Sequence, residues 1–436
     1  MERTGLLIAS YYFYAYWDYR FCVLLMVSTG VDYIVAQRIA STHGRFPRRC
    51  WLGVSLVSNL GMLAYFKYAA LLIETLVPST WSVVNEHASE IILPVGISFF
   101  TFQTLSYTID VYRGVLRPSR SPLTFALYIA LFPQLVAGPI VRAAEFLPQL
   151  GSIPVWNRRR FYGGCADILR GLVKKVLLAD RLGEMVDVVF EGPHLYDSGT
   201  IWLAVIAYTG QIYYDFSGYT DIAIGVAKTL GYRFPRNFRH PYIATNIAEF
   251  WHRWHMTLSR WLRDYLYIPL GGNRGAPFDV YRNLLVTMTL GGLWHGASWT
   301  FALWGVYHGM LLVGHRRLTS RSSRMFDRLS GALAWLATFL LVMVGWVLFR
   351  SPDLATAATV YHGMFTWRDG IGWYPPLAIV AIAFAVAEHV VYRTRLRRYQ
   401  RLPADTIVTP ILVTLALWTL ATCAPRTFSP FVYFQF

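Results

Sequence analysis

The chain carries 11 histidines, and a few of them stand where chemistry is possible. His295 lies in Leu290 to Trp299, LGGLWHGASW, as the only ionisable side chain of an apolar run. An imidazole at that depth must find a polar partner or line a wet cavity, so an intramembrane histidine is by default a functional site. Desolvation lowers a histidine's pKa and keeps the ring neutral, which is the form a general base needs. Gly291, Gly292 and Gly296 bracket Trp294 and His295 and let other backbone approach, as a narrow passage requires. The blander reading is a core histidine satisfied by a backbone carbonyl.

His252 and His255 lie three residues apart, with Glu249 three residues earlier, so on one helix all three share a face. Glu-x-x-His and His-x-x-His pairs ligate iron or zinc. Membrane di-iron enzymes use several histidine boxes, however, and here there is one such pair and no His-His dipeptide. No metal is expected. His255 is the better functional candidate and His252 the weaker. His308, beside Gly309 at the far end of the next apolar run, reads as structural. Asp215 and Asp221, in YYDFSGYTD, sit near one end of a long apolar helix. A carboxylate there needs a partner, and the arginines of the following segment are the expected ones.

The elements that must hold these residues are membrane elements. Hydrophobic residues make up 55% and charged residues 15% of the chain, against roughly 25% charged for an ordinary soluble domain, and the mean hydropathy is +0.38. At about 20 apolar residues per crossing, 436 residues leave room for roughly ten spans. Apolar runs cover 6–17, 21–36, 51–68, 91–111, 123–140, 200–225, 284–293, 299–313, 331–349, 373–392 and 407–423. Pro94, Gly96, Pro133, Gly138 and Pro139 interrupt two of them. Such breaks are tolerated at membrane depth only where protein or a wet cavity satisfies the freed backbone. Bent or re-entrant helices around an internal cavity are therefore expected.

The net charge of +16 falls in short clusters between the runs: Arg45, Arg48, Arg49; Arg113, Arg117, Arg120; Arg316, Arg317, Arg321, Arg324; and Arg393, Arg395, Arg397, Arg398, Arg401. That is the positive-inside pattern of cytoplasmic loops, not a nucleic-acid face. Some intervening loops lean acidic, through Glu74, Glu86 and Glu90 in one and Glu184, Asp187, Glu191 and Asp197 in another. Thr319 to Arg324 reads as a solvated turn. The four cysteines form no Cys-x-x-Cys pair, so neither a disulfide framework nor a thiolate metal site is expected. The tyrosine-rich N-terminus lacks the features of a cleavable signal.

Between Gly231 and Arg282 stand Arg233, Arg236, Arg239, Arg253, Arg260, Arg263, Arg274 and Arg282, together with Phe234, Phe238, Phe250, Trp251, Trp254 and Trp261. At roughly 2.5 to 3.5 kcal/mol per arginine at a lipid-facing helix centre, this stretch cannot be an ordinary span. It must lie at the cytoplasmic face or partly inside the protein. Phe250, Trp254, Leu258, Trp261, Leu262 and Tyr265 recur at helical spacing and predict one helix over Asn246 to Asp264 with an aromatic stripe. Gly271 and Gly272 then turn the chain.

Five blocks in fixed order carry a family resemblance: VGISFFTFQTLSYTIDVYRG, LFPQLVAGPIVR, YYDFSGYTDIAIG, NFRHPYIATNIAEFWHRWHMTLSRWLRDYLYIPLGGNR and LWHGASWTFALWGVYHG. Together they resemble the membrane-bound O-acyltransferases, in particular their bacterial alginate O-acetylation and teichoic acid D-alanylation branch. The resemblance implies an all-α, polytopic transmembrane helix bundle with bent or re-entrant helices around a central tunnel. The whole chain, 1–436, would form one domain in the cell inner membrane, its catalytic segment at about 228–282 facing the cytoplasm. The WHG histidine falls on His295 and the RWHMTLS histidine on His255, which are the implied catalytic pair. Acetyl-CoA is the implied donor, with no bound cofactor, and Arg253, Arg260 and Arg263 are assigned to the CoA phosphates. Trp294, Tyr213, Tyr214, Asp215 and Asn246 are expected along the tunnel. An extracytoplasmic acetylating partner protein and an alginate-like polysaccharide acceptor follow, in contact with membrane lipid and with no nucleic acid. Relatives of this type begin with a further apolar helix before the counterpart of LLIASYYFYAYW, so either the start is assigned late or this member lacks that helix. Two competing readings stay open: a flippase of lipid-linked glycan, for which broken helices and midplane polar groups also speak, and a scaffold of a polysaccharide secretion complex.

Overall fold

The computed structural model describes residues 2–77, 91–152, 154–321, 331–393, 408–424 and 431. Glu86, Glu90, Arg324, Arg395, Arg397, Arg398 and Arg401, named above in charged loops, lie outside the described residues. In chain order the helices are α1 (Glu2–Ala15), α2 (Arg20–Ser41), α3 (Arg45–Leu76, with a π-helical turn at Ala64–Tyr68), α4 (Ile97–Tyr112), α5 (Pro122–Ala130), α6 (Phe132–Leu135) and α7 (Ala143–Leu150). Next come α8 (Arg158–Leu172), which passes through a π-helical stretch at Val173–Ala179 into α9 (Asp180–Glu191), then α10 (Ser198–Thr229), α11 (Ile247–Arg253) and α12 (Met256–Leu262). After these follow α13 (Pro277–His295), α14 (Trp299–Arg321), α15 (Gly331–Arg350), α16 (Leu354–Phe365), α17 (Pro376–Arg393) and α18 (Val408–Cys423). Among the described residues the only β pairing is one bridge between Tyr196 and Ile371.

Two compact units emerge, Met1–Ala166 with Ala223–Pro235 and Asp167–Ile222 with Arg236–Phe436. In the first, Asp32 of α2 is fully buried. Its carboxylate accepts hydrogen bonds from Ser55 Oγ, from Asn59 Nδ2 at 2.6 Å and from Thr108 Oγ1 at 2.6 Å. Three donors from α3 and α4 thus offset the cost of burying one acid. The broken run at 123–140 behaves as its prolines and glycine predict. α5 starts on the Ser121 cap, whose Oγ accepts from Thr124 N at 3.2 Å, with Pro122 in the first turn. It stops at Ala130 ahead of Pro133. The run at 91–111 likewise becomes helical only after Gly96, which has φ 77° and abuts the Leu135 carbonyl so closely that a Cβ would collide with it.

α2, α3 and α15 are the described helices long and apolar enough to cross a membrane. The 22 residues of α2 span about 33 Å at 1.5 Å per residue, against about 30 Å of hydrocarbon. On α15, Leu333, Leu336, Leu340 and Leu341 stay exposed while Val342, Trp346 and Phe349 are buried. An outer face of leucines is stable in lipid, where the solvent is as apolar as the side chain. Shorter apolar helices occupy Pro376–Val391 and Val413–Thr422. Some apolar runs break at proline or glycine, and α10 buries Thr209, Gln211, Asp215, Ser217 and Thr220 within the protein.

The second unit contains both His255 and His295. α13 and α14 form a hairpin whose backbones touch. A Cβ on Gly292 would strike the Phe301 carbonyl, and one on Gly305 the Met288 carbonyl. Of the three glycines around His295, Gly292 admits backbone in this way, whereas Gly291 faces the Leu262 side chain and Gly296 the Phe301 ring.

Candidate active site

The helix predicted over Asn246 to Asp264 is in fact two. Asn246 caps α11, its Oδ1 accepting from Glu249 N at 2.8 Å, and Glu249 reaches back to Thr245 N at 2.9 Å. α11 ends at Arg253; Trp254 is extended and His255 is left-handed, with φ 41° and ψ 54°. A non-glycine residue in that region costs of order 1–3 kcal/mol. Asn237 offsets it. Its main-chain carbonyl accepts from Met256 N at 2.9 Å, and its Oδ1 accepts from Thr257 N at 3.2 Å and from Thr257 Oγ1 at 2.9 Å. α12 is thus capped by a residue from another part of the chain. The aromatic stripe survives the break because Trp254 and Leu258 are both buried, so periodicity alone does not see it.

The same oxygen sets the tautomer of His255. Because Thr257 N–H can only donate, Asn237 Oδ1 is the acceptor, and His255 Nδ1, 3.0 Å away, carries the proton and donates to it. The lone pair is then on Nε2, which is buried and has no hydrogen-bond partner among the described residues. Burial holds the ring well below the usual histidine range, down to about 3, so it is neutral at physiological pH.

His295 is the last residue of α13, which stops as Gly296 turns extended. It is buried, with ring centroids 5.0 Å from Trp294, 5.3 Å from Trp304 and 5.2 Å from Phe349. Its ring lies 6.3 Å from that of His255, and Trp294 also contacts His255 at 5.9 Å. Phe216 of α10 closes the other side of His255 at 4.7 Å.

The remaining expected residues divide. Glu249, His252 and His255 do not share a face. His252 is exposed, with Nδ1 2.6 Å from the Ala248 carbonyl, and Glu249 pairs with Arg253 at 2.7 Å. The break before His255 is what separates them. Arg263 pairs with Asp264 at 2.6 Å, and Arg260 is half-buried. Tyr213 and Tyr214 are buried with ring centroids 5.1 Å apart, and Tyr213 lies 6.4 Å from Trp254. Asp215 and Asp221 are ion-paired, though not with the expected arginines. Their partners are Lys175 at 2.7 Å and Lys174 at 2.8 Å, both in the π-helical stretch after α8, whose extra residue per turn re-aims them. His308 lies midway along α14, fully buried among Phe250, Trp251, Trp304 and Trp346. A cleft of about 410 Å³ lined by Arg3, Leu6, Pro154 and Tyr232 belongs to the first unit and includes none of these residues.

Sequence reasoning missed Asn237. Its signal was a lone amide at the head of the Asn-Phe-Arg-His-Pro stretch, legible only once His255 is placed beside it.

Two buried imidazoles thus meet in one helical unit, and the comparisons with known proteins supply the class of protein that holds them. The sequence pattern of MBOAT, the membrane-bound O-acyltransferase family, matches residues 113–351. The chain is 44% identical over 377 residues to the probable alginate O-acetylase AlgI of Pseudomonas aeruginosa, covering 83% of this chain and 70% of that protein. Its counterpart in Pseudomonas putida is 37% identical, covering 99% and 94%. The peptidoglycan O-acetyltransferase of Helicobacter pylori is 38% identical, covering 83% and 73%. The chain belongs to the membrane-bound O-acyltransferase family, in its alginate O-acetylase-like branch. It is an O-acyltransferase and a multi-pass protein of the inner membrane.

Proposed function

We propose that this chain takes acetyl groups from cytoplasmic acetyl-CoA and passes them across the membrane for O-acetylation of an extracytoplasmic, alginate-like polysaccharide, with His295 as general base. The whole chain acts as one membrane domain whose segment 228–282 faces the cytoplasm. The observation that carries this reading is the buried pair of imidazoles inside the stretch that matches the family.

His295 removes the proton of an acceptor hydroxyl as its oxygen attacks the thioester carbonyl; the C–O bond forms, the C–S bond breaks, and the proton returns to the departing thiolate. With its Nδ1 proton committed to Asn237, His255 offers only a lone pair at Nε2, which suits a proton relay and not a donor to the thioester. Substrate reaches His295 through a tunnel shaped by Trp294, Tyr213, Tyr214, Asp215 and Asn246, displacing an aromatic ring that encloses the imidazole. Arg253, Arg260 and Arg263 meet the CoA phosphates, the first and third by exchanging their carboxylate partners for phosphate. A partner protein on the outer side delivers the acetyl group to the polysaccharide.

The test uses membranes containing the chain with its extracytoplasmic partner, supplied with labelled acetyl-CoA. Label appears in polysaccharide for the wild type and is lost for His295→Ala at equal protein level. Polysaccharide export that needs no acetyl-CoA would instead favour the flippase.

A further inference from the structure

Glu388 and His389 are an unexpected pair in the apolar helix α17, where an acid and an imidazole are expensive unless they have a task. The loop before the Pro241–Ile243 turn brings a third group to them. His240, in left-handed backbone with φ 47°, sets its Nδ1 3.7 Å from Glu388 Oε1, with its ring edge-on to that of His389 at 5.5 Å. One ligand-capable atom from each of the three residues lies within 4.8 Å of the other two.

Two of the three are fixed by contacts of the kind that hold metal ligands, and His389 Nδ1 lies 3.9 Å from Glu388 Oε2. His389 Nδ1 donates to the Ala385 carbonyl one turn back, at 2.9 Å, which leaves the lone pair on Nε2. That atom is buried and has no hydrogen-bond partner among the described residues, and leaving such a group unpaired costs stability. Tyr214 Oη donates to Glu388 Oε2 at 2.7 Å, fixing one carboxylate oxygen from behind. A ring nitrogen tied to a carbonyl and a carboxylate tied to a hydroxyl are the outer contacts that hold metal ligands in place. Lys174, whose charge acts on Glu388, is paired with Asp221 at 2.8 Å.

The geometry points to a site for one divalent transition ion, zinc by preference, held by His240, Glu388 and His389. Two neutral imidazoles and one carboxylate form the N₂O set of zinc centres with a fourth position left to water, and bonds of about 2.0–2.2 Å require the ligand atoms to close by about an ångström from where they stand. The ion ties α17 to the loop that also carries Asn237, three residues before His240, and so braces the backbone that holds His255. This site shares no residue with the Glu249, His252 and His255 triplet.

The test is metal content. The full chain is purified in detergent, freed of its affinity tag, stripped with a chelator, incubated with zinc alone and desalted. About one zinc per chain is expected in the wild type, falling at least tenfold in His389→Ala and in Glu388→Gln and staying unchanged in His252→Ala. Cobalt in place of zinc should give the visible absorption of a four-coordinate ion in the wild type only, and zinc should raise the thermal midpoint of the wild type but not of His389→Ala. A wild type that retains no zinc, or α17 variants that retain as much as the wild type, overturns the assignment. Should the α17 variants fail to fold, His240→Gln in the loop decides: loss of zinc supports the site and full retention removes it.

Discussion

His255 and His295 face one another with ring centroids 6.3 Å apart and planes inclined by 55°, the first at the N-terminus of α12 and the second at the C-terminus of α13. Trp294 touches both rings. Both imidazoles are buried, so the two rings share one enclosed site with Trp294 between them.

His295→Ala should lower acetyl transfer by about 10²- to 10⁴-fold, the usual contribution of positioned acid-base catalysis, with membrane protein level near normal. His255→Ala should also cause a strong loss, and His252→Ala little. The measurement is label transferred from acetyl-CoA at matched protein amounts. A larger loss for His252→Ala than for His255→Ala would reverse the assignment.

Asn237→Ala strips the cap from α12 and frees the His255 tautomer together, since one oxygen serves Thr257 and His255. A loss of about 1–3 kcal/mol of stability is expected from the polar groups left unsatisfied, read as a lower thermal midpoint in detergent. Asn237→Asp keeps the acceptor and should recover much of that stability. It also sets a negative charge against Nδ1, which favours the protonated ring, so the acid limb of its pH–rate profile should move upward. A purely structural Asn237 would give no such movement.

Local signals announced much of this site. The glycines around His295 foretold the touching backbones of α13 and α14, and Pro94, Gly96 and Pro133 foretold broken helices, because each acts on its own stretch of chain. What failed to show depends on distant residues. One left-handed residue, His255, splits a helix whose aromatic spacing continues undisturbed. The partners of Asp215 and Asp221 come from a π-helical stretch, which shifts side-chain direction without leaving a mark in composition. Glu388 and His389 acquire meaning only when His240 arrives from another element.

Acid should destabilise the protein partly through His255. Its folded pKa, about 3 because of burial, lies below the value of about 6.5 for an unfolded chain. Between those values the unfolded state binds a proton that the folded state does not. Stability is therefore fully present above pH 6.5 and falls as pH drops toward 3. Thermal midpoints measured from pH 7.5 to 4.5 should fall less steeply for His255→Gln than for the wild type, and parallel curves would show that His255 is not the buried neutral ring described.

Gly305→Ala tests the hairpin that presents His295. The new Cβ would collide with the Met288 carbonyl, and backbone cannot swing aside as a flexible side chain can, so α13 and α14 must separate. Overpacking of this kind costs typically about 1–3 kcal/mol. Activity should fall with stability, and both should recover less at low temperature than for a surface substitution such as Arg317→Ala.

Lys175 poses the sharpest question about charge, because it holds two carboxylates, Asp180 at 2.8 Å and Asp215 at 2.7 Å. Asp215 is almost wholly buried, whereas Lys175 keeps 19% of its side chain exposed. Lys175→Met removes the shared cation and leaves Asp215 buried as an acid without its partner, which in a dry site costs up to roughly 3–5 kcal/mol; the partial exposure of the lysine places the expected loss below that bound. Replacing the acid as well, in Lys175→Met with Asp215→Leu, removes the stranded charge, and its thermal midpoint should rise back toward the wild type. If Asp215 only fastens α10 to the π-helical stretch, the double variant should regain acetyl transfer along with stability. If Asp215 lines the substrate tunnel, stability should return and transfer should not, and this split between the two measurements assigns its role.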